Sequence, residues 1–180
     1  VDTIYFGGGT PSVLEKNEIN RILQKIYDTY NITENPEITL ECNPDDLSEE
    51  KLVTLKEIGI NRLSIGVQSF NDKELKWMNR SHNADQSERC IKMAQQVGFE
   101  NITIDLIYGL PNQTTAEWKK NLKKMFEFNI QHFSAYALTI ENKTALKHLV
   151  NTNKIKPLKE EVIVNQFNLL IDKANKHGFI

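Results

Sequence analysis

Apolar positions along this chain fall into two alternating kinds of segment. Five short runs rich in β-branched and aromatic residues occur at Thr3–Phe6, Glu37–Cys42, Arg62–Val67, Asn101–Ile107 and Phe133–Ile140. Each is too short for a helix and apolar on more than one face, which predicts a strand buried in a parallel sheet. Between them the spacing changes to the i, i+3, i+4, i+7 rule of an amphipathic helix. Ile19, Ile22, Leu23, Ile26, Tyr27 and Tyr30 follow it, as do Trp118, Leu122, Met125 and Phe126, and later Ile163, Phe167, Leu170, Ile171 and Ala174.

The junctions repeat as well. Ile58-Gly59-Ile60, Val97-Gly98-Phe99 and His177-Gly178-Phe179 place glycine where a helix should end, and Asn129 takes the matching place in a fourth unit. Glycine and asparagine tolerate the left-handed conformation that closes a helix, and the apolar residue that follows re-enters the core. The period is about 35 residues, the length of one βα unit. The fold class is therefore α/β with a parallel sheet, either open and doubly wound or part of a barrel.

Composition narrows the function classes. The 180 residues suffice for one sizeable core, with 39% hydrophobic and 26% charged residues. A net charge of −2, with acids and bases interspersed, provides no field that would gather nucleic acid. No apolar run approaches the roughly 20 residues of a membrane span, so no transmembrane segment is expected. Cys42 and Cys90 stand far apart in no metal-ligand spacing; they read as small apolar residues in a reducing, cytoplasmic setting. The chain opens directly into a strand and closes where another is due, so we expect one domain over 1–180, truncated at both ends. Its open strand edges are expected to drive self-association.

Candidate chemistry clusters at the ends of the strands. Gly7-Gly8-Gly9-Thr10-Pro11 follows the first, Glu41 and Asn43-Pro44 the second, Gln68 the third; Asp105 lies in the fourth before Tyr108-Gly109-Leu110-Pro111, and Thr139 and Glu141 finish the fifth. Parallel βα folds bind ligands over the C-terminal strand ends, because the loops there are free to vary. Each element also has a structural reading. The glycines could form a tight turn, Glu41 a buried ion pair and Gln68 a satisfied core amide. Arg80 could be a solvated charge, Trp77 and Trp118 core packing, and His82 alone means little.

Together these stretches resemble a known family. Tyr5-Phe6-Gly7-Gly8-Gly9-Thr10-Pro11-Ser12, Glu37 to Pro44, Asn61 to Phe70 and Ile104 to Pro111 are similar, in order, to four motifs of the radical S-adenosylmethionine (SAM) family. The likeness is to its oxygen-independent coproporphyrinogen III oxidase and heme-chaperone group. The resemblance implies part of an incomplete (β/α)6 barrel of the TIM-like kind, with SAM and a [4Fe–4S] cluster as cofactors. It places Gly8 and Glu41 at the SAM bound to the cluster. Gly9, Thr10, Gln68, Arg80 and Asp105 fall along the SAM-binding cavity, and Thr139 matches a backbone contact. The family's three-cysteine cluster motif precedes the glycine motif and is absent here, so this chain is expected to hold no metal and to be inactive alone.

Two branches share this core. One decarboxylates two propionates of coproporphyrinogen III in porphyrin biosynthesis through a 5′-deoxyadenosyl radical; the other binds heme and delivers it to a recipient protein. Gly66-Val67-Gln68-Ser69-Phe70 and Leu138 to Thr144 are more similar to the chaperone branch, whose heme-ligand motif would lie beyond Ile180. The oxidase is the alternative. A sugar-phosphate barrel is a remote third reading, disfavoured because no second glycine loop occurs late in the chain.

Overall fold

The computed structural model describes all residues from Val1 to Ile180. Five strands, β1 (Thr3–Phe6), β2 (Glu37–Cys42), β3 (Arg62–Gln68), β4 (Asn101–Tyr108) and β5 (His132–Ala137), form one sheet in the order β1-β2-β3-β4-β5. All four pairings are parallel. Seven helices join them: α1 (Lys16–Thr29), α2 (Glu49–Glu57), α3 (Asp72–Trp77), α4 (Ala84–Val97), α5 (Thr115–Met125), α6 (Ala145–Asn151) and α7 (Glu160–Lys176). The sheet is open, and no helix is long and apolar enough to cross a membrane.

Local chemistry sets the helix boundaries. Ser48 caps α2 by accepting from the Lys51 amide, and Asn83 with Gln86, like Thr114 with Glu117, forms a reciprocal capping box. Gly59, Gly98 and Gly178 have φ of 95°, 93° and 80°, the expected left-handed closures. Asn129 does not share this conformation. Helix α5 ends at Met125 and the chain leaves through tight turns, with the Phe128 amide donating to the Met125 carbonyl, so no left-handed residue is needed there.

One face of the sheet carries the core. Ile38, Leu40, Leu63, Ile65, Ile102, Ile104 and Leu106 pack with Ile19, Leu23, Leu52, Leu55, Ile91, Trp118 and Leu122 in a single cluster. The other face corrects the expectation of strands apolar on both sides. Alternate residues there are polar, and Arg62 ties them together: Nη1 donates to Glu37 Oε1 at 3.1 Å and Nη2 to Thr103 Oγ1 at 2.8 Å. Asn101 Nδ2 donates to Glu37 Oε2 at 3.2 Å. A half-buried charge is tolerable only when paired in this way.

Strand β5 is shorter than its apolar run. The Leu138 amide donates to the Tyr108 carbonyl at 2.8 Å, after which β4 turns away at Gly109, φ 76°. Without a neighbour the ladder stops, and Thr139 and Glu141 lie outside the strand. The helical stripes are also only partly buried. Ile19 and Leu23 of α1 and Leu170 and Ala174 of α7 enter the interior, whereas Ile22, Tyr27, Tyr30, Phe167 and Ile171 remain exposed.

Candidate functional site

The polar face ends in a cavity at the C-terminal edge of the sheet. Strand β1 delivers the glycine loop, whose Gly8 and Gly9 adopt φ of 80° and 61°, a region open to glycine at little cost. A Cβ at Gly7 would lie 2.7 Å from the Tyr5 ring and 3.1 Å from the Glu41 carboxyl group, whereas nothing stands within 4 Å of one built on Gly8 or Gly9. The loop is thus closed against the sheet at one residue and open above at the next two.

Glu41, on the polar side of β2, is held at both oxygens. The Tyr5 hydroxyl donates to Oε1 at 2.8 Å and the Gly8 amide to Oε2 at 3.0 Å. Burial, followed by the bond to Glu41, raises the Tyr5 pKa, so the phenol stays a donor at neutral pH. On β4, Asp105 accepts from Ser64 Oγ at 3.2 Å. Burial raises its pKa, hydrogen bonds from Ser134 and Ser64 oppose the rise, and the charge on Glu41 adds to it.

Gln68 ends β3 in an unusual conformation. The β3–β4 register shifts between Ile65 and Gln68, and Gln68 itself has φ 64°, which costs a non-glycine residue roughly 1–2 kcal/mol. Gly66 makes room: a Cβ there would stand 2.9 Å from Gln68 Nε2. Beneath the loop that follows, Ser69 Oγ lies 2.5 Å from Glu74 Oε2, and Asn121 Oδ1 accepts from the Phe70 amide at 2.8 Å. This buried network supports the strained position.

Arg80 and His82 follow α3. Burial lowers the Arg80 pKa, an effect that Asp45 opposes. His82 is buried; its Nε2 lies 3.0 Å from the Val67 carbonyl and its Nδ1 3.8 Å from Asp45 Oδ1. It acts as a strut behind β3.

The cavity so formed has a volume of about 330 Å³ and is lined by Gly9, Thr10, Glu41, Gln68, Arg80 and Asp105, together with Asn43, Ser64, Gly66 and Tyr136. Gly8 contributes through its amide on Glu41 rather than through the lining. Thr139 stands apart: it is exposed, outside the lining, and its hydroxyl donates to the Ala137 carbonyl at 3.4 Å. Tyr5, Ser64 and Tyr136 were missed from the sequence. The signal for them was period-2 alternation, since Thr3 and Tyr5, Arg62 and Ser64, and Ser134 and Tyr136 share strand faces. Two acids, one arginine and several backbone and hydroxyl groups together suit a zwitterion carrying a carboxylate, an ammonium and hydroxyls.

The chain belongs to the radical SAM superfamily, whose family model matches residues 1–125. Within it, the similarity is to heme chaperones. The heme chaperone HemW of Lactococcus lactis subsp. lactis (strain IL1403) is 36% identical over 177 residues, 98% of this chain and 47% of that protein. HemW of Bacillus subtilis (strain 168) is 34% identical over the same shares. Among solved structures, the radical SAM enzyme coproporphyrinogen III oxidase (HemN) from Escherichia coli superposes with a TM-score of 0.85 at 28% identity, over 99% of this chain and 41% of that one. The chain spans just under half the length of these relatives.

Membership implies SAM and an iron–sulfur cluster, and the residues here fit the two differently. The glycine cradle, the paired Glu41 carboxylate and Arg80 fit SAM. A cluster finds no ligand set. Cys42 and Cys90 are both buried and free, burial pushes the Cys42 thiol up and the Cys90 thiol up to about 12, and no group of three potential ligands occurs.

Proposed function

We propose that this chain is the SAM-binding core of a heme chaperone. The observation that carries the reading is the convergence of Tyr5 and Gly8 on Glu41 at one wall of a cavity that Asp105, Gln68 and Arg80 also line. Bound there, SAM supplies radical chemistry when a cluster is in place. Gly8 and Glu41 would hold its methionine end, with the Glu41 carboxylate facing the ammonium and the Tyr5 phenol and Gly8 amide fixing that carboxylate's orientation. Arg80 would take a carboxylate as a planar donor fork. Asp105 and Gln68 would bind ribose hydroxyls, and Gly9 and Thr10 would offer backbone and hydroxyl contacts. No step is assigned to Cys42 or Cys90; the cluster cysteines and the heme-ligand motif would lie in the parent protein outside these residues.

The chaperone reading is supported by relatives named heme chaperone at 34–36% identity. The structural likeness to HemN favours a second reading, oxidative decarboxylation of coproporphyrinogen III. Full-length protein with a reconstituted cluster distinguishes them. The chaperone is expected to bind heme and to form no protoporphyrinogen from coproporphyrinogen III; turnover of that substrate would select the oxidase. Glu41→Ala should abolish SAM binding in either case while leaving the fold intact. A large fall in melting temperature with unchanged SAM affinity would instead make Glu41 a structural residue.

A further inference from the structure

A second cavity, of about 250 Å³, opens between α3 and the turn that leads from β4 into α5, and its lining shares no residue with the SAM cavity. Two of its lining side chains, Glu74 and Gln113, are only 7% and 3% exposed. Each nevertheless keeps one polar atom without a partner in the chain, Glu74 Oε1 and Gln113 Nε2. Neither orphan is cured by turning the group over. Glu74 Oε2 already meets Ser69 Oγ at 2.5 Å and accepts from Asn121 Nδ2 at 2.8 Å, so exchanging the two oxygens changes nothing. Gln113 Oε1 accepts from the Gly109 amide at 3.0 Å, and flipping the side chain would set N–H against N–H.

Charge sharpens the requirement. Glu74 takes part in none of the chain's ion pairs, and a buried carboxylate needs a counter-charge as well as hydrogen bonds. Glu117 adds a second acid to the lining, whereas its one base, Lys73, is exposed. A cation that donates to Glu74 and carries an acceptor for Gln113 satisfies both orphans. A metal ion matches poorly. Hard cations take six or more oxygens, no group of three potential ligand side chains occurs, and what Gln113 has to spare is a donor. The Trp77 ring in the lining suits an organic ammonium instead.

We propose that this cavity binds a small organic cation, a primary ammonium with a carbonyl or hydroxyl oxygen close beside it. The ammonium donates to Glu74 and the oxygen accepts from Gln113. The site is separate from the SAM cavity, and the inference does not depend on the chaperone reading.

The test titrates full-length protein at pH 7 with three probes, followed by ligand-observed NMR. Glycinamide carries both groups, ethylamine the ammonium alone, and N-acetylglycinamide the oxygen without the charge. Wild type should bind glycinamide more tightly than ethylamine, and N-acetylglycinamide not at all. Glu74→Gln keeps an oxygen for Ser69 and Asn121 but sets an amide where Oε1 stood; it should weaken glycinamide binding about tenfold or more. Lys73→Gln, at an exposed position, should tighten it by removing a competing charge. Should Glu74→Gln fail to fold, as a thermal melt would show, Lys73→Gln and the probe comparison carry the test. Wild type that binds none of the probes would leave the cavity to water and overturn the proposal. Equal binding of glycinamide and N-acetylglycinamide would overturn it too, as would a folded Glu74→Gln that binds glycinamide as tightly as wild type.

Discussion

The Tyr5 hydroxyl stands 2.8 Å from Glu41 Oε1 across the β1–β2 pair, on strands whose register sets Tyr5 opposite Thr39. The carboxylate at the ligand edge is thus oriented by a neighbouring strand before any ligand arrives. Tyr5→Phe removes the donor and leaves Gly8 as the remaining partner. Because Tyr5 is 55% exposed, water replaces part of the loss. SAM affinity of the full-length protein should fall about 3–10-fold, about 1 kcal/mol, with little change in melting temperature. Equilibrium SAM titration checks this, and an unchanged Kd would remove Tyr5 from the site.

Asp105 gives a pH signature. Its folded pKa lies above the ordinary 3.8 because burial penalises its charge. The folded state therefore holds the proton more tightly, and this contribution to stability is full below 3.8 and is lost as pH rises through the folded value. At neutral pH the ionised group is a liability, which Asp105→Asn removes. The variant should melt higher than wild type at pH 7, and by a larger margin than at pH 4. Its SAM affinity should fall roughly ten- to a hundredfold, as expected for a lost bond to a charged group.

His82 shows the opposite sign. Burial lowers its pKa below 6.5, with the Val67 carbonyl and Asp45 opposing and Arg80 assisting. The unfolded chain then binds the extra proton, so stability is complete above 6.5 and declines as pH falls through the folded value. Melting temperature should climb between pH 5 and 7 in wild type and climb less in His82→Gln. Parallel curves for the two would mean that His82 does not titrate in this range.

Gln68 combines a strained backbone with a side chain at the cavity. Comparing Gln68→Gly with Gln68→Ala isolates the strain, because both lack the amide and only alanine retains the penalty at φ 64°. Gln68→Gly should be the more stable by about 1 kcal/mol in urea unfolding, and both should bind SAM more weakly than wild type. Equal stabilities would show that the loop relaxes when the amide is lost.

Much of this protein was legible in its sequence. The positions of β1 and β2, the closures at Gly59, Gly98 and Gly178, and the gathering of Glu41, Gln68 and Asp105 at one sheet edge all follow from signals carried by neighbouring residues. Periodicity, caps and turn chemistry act within a few residues, so they survive without knowledge of the fold.

Tertiary structure decided the rest. Whether Ser64 or Ile65 meets the cavity is a question of parity, and parity is set by the register of β3 between β2 and β4. The end of β5 at Ala137, which leaves Thr139 outside the lining, was decided by where β4 turns away at Gly109. The left-handed Gln68 depends on a bulge braced by Asn121, 53 residues further along. The place of Arg80 in the lining beside Glu41 and Asp105 arises only when the segment after α3 is folded against the strand ends. Each of these rests on contacts between residues distant in the chain, whose energies no local pattern encodes.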